Sequence, residues 1–450
     1  MILYDLRLAF LSMRRTPMLT ALTAAAIACG IGACTFVMTI YHGQSHNPIW
    51  WKNDQLYAVL LDLKGTDRRP LNLHHFDDPP QQLAYRDAKA LFRSSIPSRK
   101  VMSYVSGQIL EPINPGAKPF GAMVRLTTAD FFKMFDVPFL YGEGWNSAAD
   151  EAPESVAVLS KRTNDRVFGG ANSLGRSITL GGRSYRVIGV LNDWLPQPRF
   201  YDLDGTVPED VYLPFRWGET LELSPIILSC LSIAAGNDLL SPRGTFTSDC
   251  VWIQFWAELP ERAQRERFRQ FINAYVTDEK KHGRFPRPLN NRLLNVEEWL
   301  QFNDVVGSDT QLELALALMF LGVCLLNTLG LMLAKFLSAA PMVGVRRALG
   351  ANRRDILRQY LTEVLALGLL GGTLGLLLAR LGLAVETAQT LRLIGADNPE
   401  RVAALRNYLH MDVKVIVTAL GLSLLTGLLA GLYPAWRIGQ TPPAIYLKTQ

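Results

Sequence analysis

The sequence predicts an α-helical membrane protein in which four transmembrane helices carry one large α+β domain on the outer side. Three observations predict it. Four windows, Met18 to Tyr41, Leu314 to Ala334, Val364 to Ala379 and Val415 to Trp436, contain no charged residue, and about 20 such residues cross hydrocarbon as a helix. The stretch 42–310 holds no such window, yet it is long enough to bury cores of its own. Lysine and arginine crowd beside the windows mainly on one side. A mean hydropathy of +0.11 agrees with a chain whose apolar residues are concentrated in blocks.

Residues 1–17 read as an amphipathic helix and 18–41 as the first span. A cleaved signal peptide is the competing reading of this segment. The window is longer than an apolar signal core and has no convincing cleavage site before His42, so it is expected to stay as a signal anchor. The outer domain follows as 42–310. The second span is 311–336, a basic inner segment is 337–360, and the third span is 361–383. Glu363 and Arg380 edge that third window and can reach toward headgroups. An outer loop covers 384–412, the fourth span 413–436 and an inner tail 437–450.

Orientation follows from the basic residues nearest the helix ends. Arg7, Arg14 and Arg15 precede the first window. Lys335, Arg346, Arg347, Arg353, Arg354 and Arg358 lie between the second and third, and Arg437 and Lys448 follow the fourth. Four single crossings put all of these on one side, the cytoplasmic one, together with both termini. Arg392, Arg401 and Arg406 in the outer loop are interleaved with Glu386, Asp397 and Glu400, so their bias is weaker.

Within the outer domain, Gln55 to Leu63 reads as a strand, Gln82 to Ser94 as a helix and Lys100 to Leu110 as a strand. The triplet recurs as Cys250 to Ala257, Glu261 to Val276 and Arg292 to Glu297. Two strand–helix–strand units can pair into one βαβ-type subdomain. Between them lies a β-rich insertion (about 111–249), most regular from Val124 to Gly189. Its turns are marked by Gly169-Gly170, Gly175 and Gly181-Gly182. The proline-rich stretch Pro196 to Pro225 reads as irregular loop. Cys230 and Cys250 are candidates for a disulfide in an oxidising compartment, closing a loop that would add roughly 3 kcal/mol. Two unrelated buried thiols are the alternative.

No coherent catalytic set emerges. Gly170-Ala-Asn-Ser-Leu-Gly175-Arg176-Ser177 has phosphate-loop spacing, but Arg replaces the required Lys and the context is a hairpin, so it reads as a turn. His42 and His46 stand four apart with no glutamate or cysteine cluster to complete a metal site, and read as an interfacial polar pair. No nucleophile elbow is present. The pI near 9.0 invites nucleic acid, but topology already accounts for the arginines and no aromatic platform accompanies them. Gly368/Gly372, Gly371/Gly375 and Gly427/Gly431 are small-xxx-small pairs that allow close helix packing. Asn327 and Glu363 are polar residues in or beside spans. A carboxylate there is functional by default, and pairing with a loop arginine is the structural alternative.

Three stretches carry a family resemblance. Met342-Val-Gly-Val-Arg-Arg-Ala-Leu-Gly-Ala-Asn-Arg-Arg-Asp-Ile-Leu357, with Gln359-Tyr-Leu-Thr-Glu363 and Leu370-Gly-Gly-Thr-Leu-Gly375, is the first. Ser155 to Gly170 with Leu174 to Val190 is the second, and Gly431-Leu-Tyr-Pro-Ala-Trp-Arg437 is the third. Together they resemble the permeases of the macrolide-exporter (MacB) type, which are FtsX-like ABC transporters of the type VII, mechanotransmission class. The resemblance implies that the outer part is a periplasmic core domain and that the basic inner segment is a coupling helix resting on an ABC ATPase. The candidate ATPase contacts it implies are Val343, Gly344, Val345, Arg346, Ala348, Leu349, Gly350, Arg353, Arg354 and Ile356, with Gly350 breaking the segment and Pro434 stopping the last span.

It further implies a bacterial inner-membrane protein that binds no cofactor and is not itself catalytic, with ATP and Mg used by two copies of a separate ATPase. A second permease copy or a homologous permease would complete a dimer, with a periplasmic adaptor and an outer-membrane channel in an efflux pump. A signalling scaffold that activates a periplasmic enzyme is the alternative. Where family members often carry Arg-Glu before Val-Gly-Val, this chain has Pro341-Met342.

Overall fold

A computed structural model describes residues 2–65, 77–111, 118–152, 154–203, 207–230, 242–394 and 411–440. Two helices, α1 (Ile2–Arg15) and α2 (Pro17–Ser45), open the chain. Next come β1 (Leu56–Leu60), β2 (Leu83–Ala84), α3 (Tyr85–Phe92), β3 (Arg99–Glu111) and β4 (Phe120–Thr127). A run of short elements follows: α4 (Asp130–Met134), β5 (Phe139–Gly142), α5 (Ala148–Glu151), β6 (Val156–Leu159), α6 (Lys161–Phe168), β7 (Ser177–Leu180) and β8 (Arg183–Leu191). Then come β9 (Val211–Pro214), α7 (Arg216–Leu221), α8 (Pro242–Thr247), β10 (Val251–Glu258), α9 (Arg262–Lys281), β11 (Arg292–Asn295) and α10 (Val296–Phe302). Four helices end the described chain: α11 (Ser308–Ser338), α12 (Ala340–Ala348), α13 (Arg353–Ile394) and α14 (Val413–Gln440). The chain forms two units, one of residues 1–46 with 306–450 and the other of 47–305.

In the outer unit, residues 47–305, one sheet runs in the order β11-β1-β10-β3-β4-β9-β6-β8-β5. The first four strands pair antiparallel, with Leu60 opposite Arg292, Tyr57 opposite Ala257 and Gln254 opposite Ser103. Each strand–helix–strand unit therefore skips a place that the other unit fills, a split βαβ arrangement. β1 shows why its five residues are all buried. Tyr57 and Val59 enter one core while Leu56, Ala58 and Leu60 enter the other, because side chains alternate across a strand and this sheet is covered on both faces. On α9, Phe268, Ile272 and Val276 form the buried stripe at spacings of four.

The β-rich insertion continues the sheet of the βαβ subdomain, and one sequence expectation is corrected here. β3 and β4 pair from Ser103–Thr127 to Leu110–Phe120 and carry the sheet straight into it, and α4 to α7 lie within it. The stretch Pro196 to Pro225 is not all irregular, since it holds β9, which pairs parallel to β4, and α7. The loop with phosphate-loop spacing joins α6 to β7, and Gly169, Gly170 and Gly175 take φ of 65°, 81° and 78° in it. The hairpin turn itself is at Gly181-Gly182, between β7 and β8. Cys230 and Cys250 form a disulfide.

In the other unit, four helices among the described residues are long and apolar enough to span a membrane: Pro17–Gly43, Asp309–Ser338, Arg353–Arg392 and Val413–Ile438. Their contact surfaces follow the glycines. A Cβ on Gly371 would lie 2.6 Å from Ile27 Cγ2, and one on Gly375 3.0 Å from the Ala28 carbonyl oxygen, so α13 meets α2 there. Gly368 faces Ser423 and Gly427 of α14 at ordinary or tight contact, Gly372 abuts Ser423, and Gly431 abuts Val364. With lipid as solvent, helices gain by fitting closely rather than by hiding apolar surface.

Further corrections concern helix ends. α13 is 42 residues long, about 63 Å at the α-helical rise, twice the ~30 Å hydrocarbon core. It takes up the start of the expected outer loop, to Ile394; residues 395–410 of that loop and 441–450 of the tail lie outside the described residues. Pro434 does not stop α14, which continues to Gln440. Proline removes one helical hydrogen bond, and Ala435 and Ile438 beyond it are held in a core with Phe336, Tyr360 and Val364.

Candidate functional site

The basic inner segment is two helices with a turn between them. Gly350 takes φ 98°, its N–H donates to the Arg347 carbonyl at 3.1 Å and the Ala351 N–H to the Arg346 carbonyl at 3.1 Å. That is the Schellman ending, which needs a left-handed residue and so favours glycine. α13 restarts three residues later. Arg346 crosses the elbow and donates to Gln359 Oε1 at 2.7 Å.

The elbow sorts the expected contacts into two sets. Val343 and Ile356 are 6% and 3% exposed and belong to the core around Met332, Phe336 and Tyr360, and Gly344 is buried. These three are structural, and the expectation that they touch a partner is corrected: apolar residues at that point of each turn hold α12 against α13. Val345, Leu349, Arg353 and Arg354 are exposed. Gly350 makes the turn and Ala348 closes α12. Met342 joins the exposed set, with 49% exposure beside 47% for Val345 and 83% for Leu349. Positions 342, 345 and 349 share one helix face. That i, i+3, i+7 spacing is legible in the sequence.

Behind the elbow sits a buried polar junction. Lys335 Nζ lies 2.7 Å from Glu363 Oε1, with side chains 2% and 0% exposed. Ser12 of α1 donates to Glu363 at 3.0 Å, and Lys335 donates to Thr20 of α2 at 3.0 Å. Four helices thus converge on one ion pair. Glu363 pairs with Lys335, at the end of α11, rather than with a loop arginine. At the other end of α2, the rings of His42 and His46 lie against each other at a 40° tilt with centroids 5.5 Å apart, and His42 lies 3.9 Å from Asp412.

The outer unit holds charge centres that the sequence reading missed. Arg125, fully buried on β4, pairs with Asp202 and with Glu209 and donates to Ser103 Oγ at 3.0 Å. Arg199 adds a second guanidinium 3.5 Å from Glu209 and donates to the Val207 carbonyl at 2.7 Å, and Tyr201 donates to Glu209 at 3.1 Å. Burial pushes the Glu209 carboxyl up, but Arg125 and Arg199 outweigh it and hold it at about 2. A second centre joins Arg284 to Asp87 at 2.7 Å, Glu279 at 2.8 Å and Asp249 at 2.7 Å. The available signal was Arg199-Phe-Tyr-Asp202 followed by Glu209-Asp210, charges set among aromatics where a solvated loop would not need them.

Four apolar helices, a large outer α/β domain and a basic elbow define a membrane permease. Residues 20–270 match the family described as MacB-like periplasmic core domain, and residues 314–443 match the FtsX-like permease C-terminal family. The chain belongs to the MacB-like, FtsX-like family of ABC transporter permeases. The pyoverdine export ATP-binding/permease protein PvdT of Pseudomonas aeruginosa is 22% identical over 96% of this chain and 56% of its own length. The ABC transporter permease YvrN of Bacillus subtilis is 21% identical over 99% of both chains. The macrolide export ATP-binding/permease protein MacB of Syntrophobacter fumaroxidans is 22% identical over 99% of this chain and 63% of its own. The chain thus spans less than two thirds of PvdT and MacB and nearly all of YvrN. The periplasmic region of MacB from Actinobacillus actinomycetemcomitans aligns with 57% of the chain at 16% identity and a TM-score of 0.36.

Proposed function

We propose that this chain is the permease subunit of an ABC efflux machine, and that the α12–α13 elbow receives the motion of an ABC ATPase. The observation that carries the proposal is the face formed by Met342, Val345 and Leu349, flanked by the exposed Arg353 and Arg354. Burying each large apolar side chain against a partner would be worth about 1.5–3 kcal/mol, and the arginines would give the contact register. The names of PvdT and MacB, export ATP-binding/permease proteins, support an ATPase as that partner, and the name of YvrN supports a permease role for a chain of this length.

In this reading two ATPase copies use ATP and Mg while this chain binds neither. A second permease, identical or homologous, completes the dimer, and a periplasmic adaptor and outer-membrane channel take the substrate onward. The helices lie in the bacterial inner membrane with both termini cytoplasmic, a reading supported by the basic residues beside the spans. Motion of the elbow is relayed to the periplasmic domain, and extrusion follows.

The test is co-purification of tagged full-length chain with candidate ABC ATPases from the same cell, followed by ATPase assay of the complex. Val345→Asp/Leu349→Asp and Arg353→Glu/Arg354→Glu should each weaken association at least about tenfold, the loss of ~1.4 kcal/mol. Association unchanged in both sinks the assignment.

A further inference from the structure

We propose that α11 is where this chain docks a second copy of itself, the two α11 helices packing side by side in parallel and joined at Asn327. The proposal rests on the reading that a second permease completes the dimer, and it names the copy, the helix and the contact. α11 is the least covered of the four spans: 28% of its apolar stretch is buried, against 50% for α2 and 39% each for α13 and α14. Leu321, Cys324, Thr328 and Met332 are its buried side.

Asn327 is exposed on that helix. The charge-free stretch Leu314 to Ala334 is centred on Cys324, so Asn327 stands about 4.5 Å from the middle of the span. Exposed hydroxyls elsewhere in the spans are satisfied by their own helix: Thr373 donates to the Leu369 carbonyl at 3.0 Å and Thr418 to the Lys414 carbonyl at 2.7 Å. The Asn327 amide makes no hydrogen bond among the described residues. Hydrocarbon offers it none, and an unpaired amide there is costly. A carboxamide both donates and accepts, so it is its own complement. Two Asn327 side chains facing each other across a two-fold axis along the membrane normal pair reciprocally.

The surroundings of Asn327 have the spacing of a helix seam. Leu316, Phe320, Val323, Asn327, Gly330 and Ala334 are all exposed, at steps of four, three, four, three and four. That alternation keeps side chains in line along a parallel partner helix, and one asparagine on such a seam fixes register and the number of helices. Gly330 and Ala334 allow close approach. Gly371, Gly372 and Gly431 are small because an added Cβ would strike a neighbouring helix, whereas one on Gly330 meets nothing of its own chain within 4 Å. Lipid tails could cover the apolar seam, but they leave the amide unpaired.

The test is energy transfer between donor- and acceptor-labelled copies of the full-length chain, reconstituted without ATPase in phosphatidylcholine vesicles over a range of lipid-to-protein ratios. Wild type should associate saturably as pairs. Asn327→Leu should weaken association at least about fivefold, and Asn327→Gln, which keeps donor and acceptor, should retain most of it. Gly330→Leu should abolish pairing. Gly322→Leu, at a glycine equally open but off the seam, should leave it unchanged. No self-association of wild type, an Asn327→Leu variant that pairs as well as wild type, or equal losses from Gly322→Leu and Gly330→Leu overturns the proposal. Binding of an ATPase to the elbow is read in the separate co-purification, so either assignment can fail while the other stands.

Discussion

The membrane unit and the outer unit use buried charge differently. In the first, Lys335–Glu363 is the buried ion pair among the described residues, and it stands where four helices meet. In the second, two multi-residue centres are built on Arg125 and Arg284, each bonded to at least one carboxylate from a distant part of the chain. The difference follows from the solvent. Lipid is as apolar as a leucine side chain, so hydrophobicity alone gives helices no preferred partner, and glycine fit plus one polar contact choose it. In water, apolar burial drives the sheet together and the charges select among compact arrangements.

Removing one member of each centre sharpens this contrast. Arg125→Met leaves Asp202 and Glu209 buried with less compensation and should cost about 3–5 kcal/mol, measured as thermal unfolding of the full-length chain followed by tryptophan fluorescence. Adding Asp202→Asn and Glu209→Gln should recover part of that loss. A loss below ~1 kcal/mol for the single variant would remove the distinction between the units.

Glu363→Gln and Lys335→Met should each cost less, about 2 kcal/mol, because polar contacts between membrane helices are worth less than solvent-free arithmetic suggests. The double variant Lys335→Met/Glu363→Leu should restore most of it, whereas additive losses would mean that the two side chains do not act as a pair.

The smallest effect is a pH slope in the outer unit. Burial raises the Asp150 carboxyl to about 7, above its ordinary 3.8, although it accepts from the Ala129 N–H at 3.0 Å. Between about pH 4 and 7 the unfolded chain therefore releases a proton that the folded chain keeps. Stability should fall as pH rises through that window and level off above it. Asp150→Asn should flatten the slope by about 1–2 kcal/mol, read from unfolding midpoints at pH 4.5 and 7.5. An unchanged slope would assign it to another group.

Sequence and structure agree where local pattern is sufficient. The four spans are visible because hydrocarbon imposes a length and forbids charge, and both constraints are local. The elbow is visible for a similar reason: Gly350 after Arg346-Arg347-Ala348-Leu349 marks a helix ending. Its exposed face is only half visible, since Val343, Val345 and Ile356 are all apolar and only packing tells which of them are covered.

By itself, then, the amino-acid order determined how often the chain crosses lipid, where its arginines lie and which strand–helix–strand units exist, because periodicity and charge spacing act over a few turns. Tertiary structure alone decided that the insertion continues the first sheet, that Lys335 meets Glu363 across 28 residues, and that Arg125 meets Asp202 and Glu209 across 77 and 84. Those pairings depend on which distant segments fold together to bury common surface, and no short window of sequence contains that information.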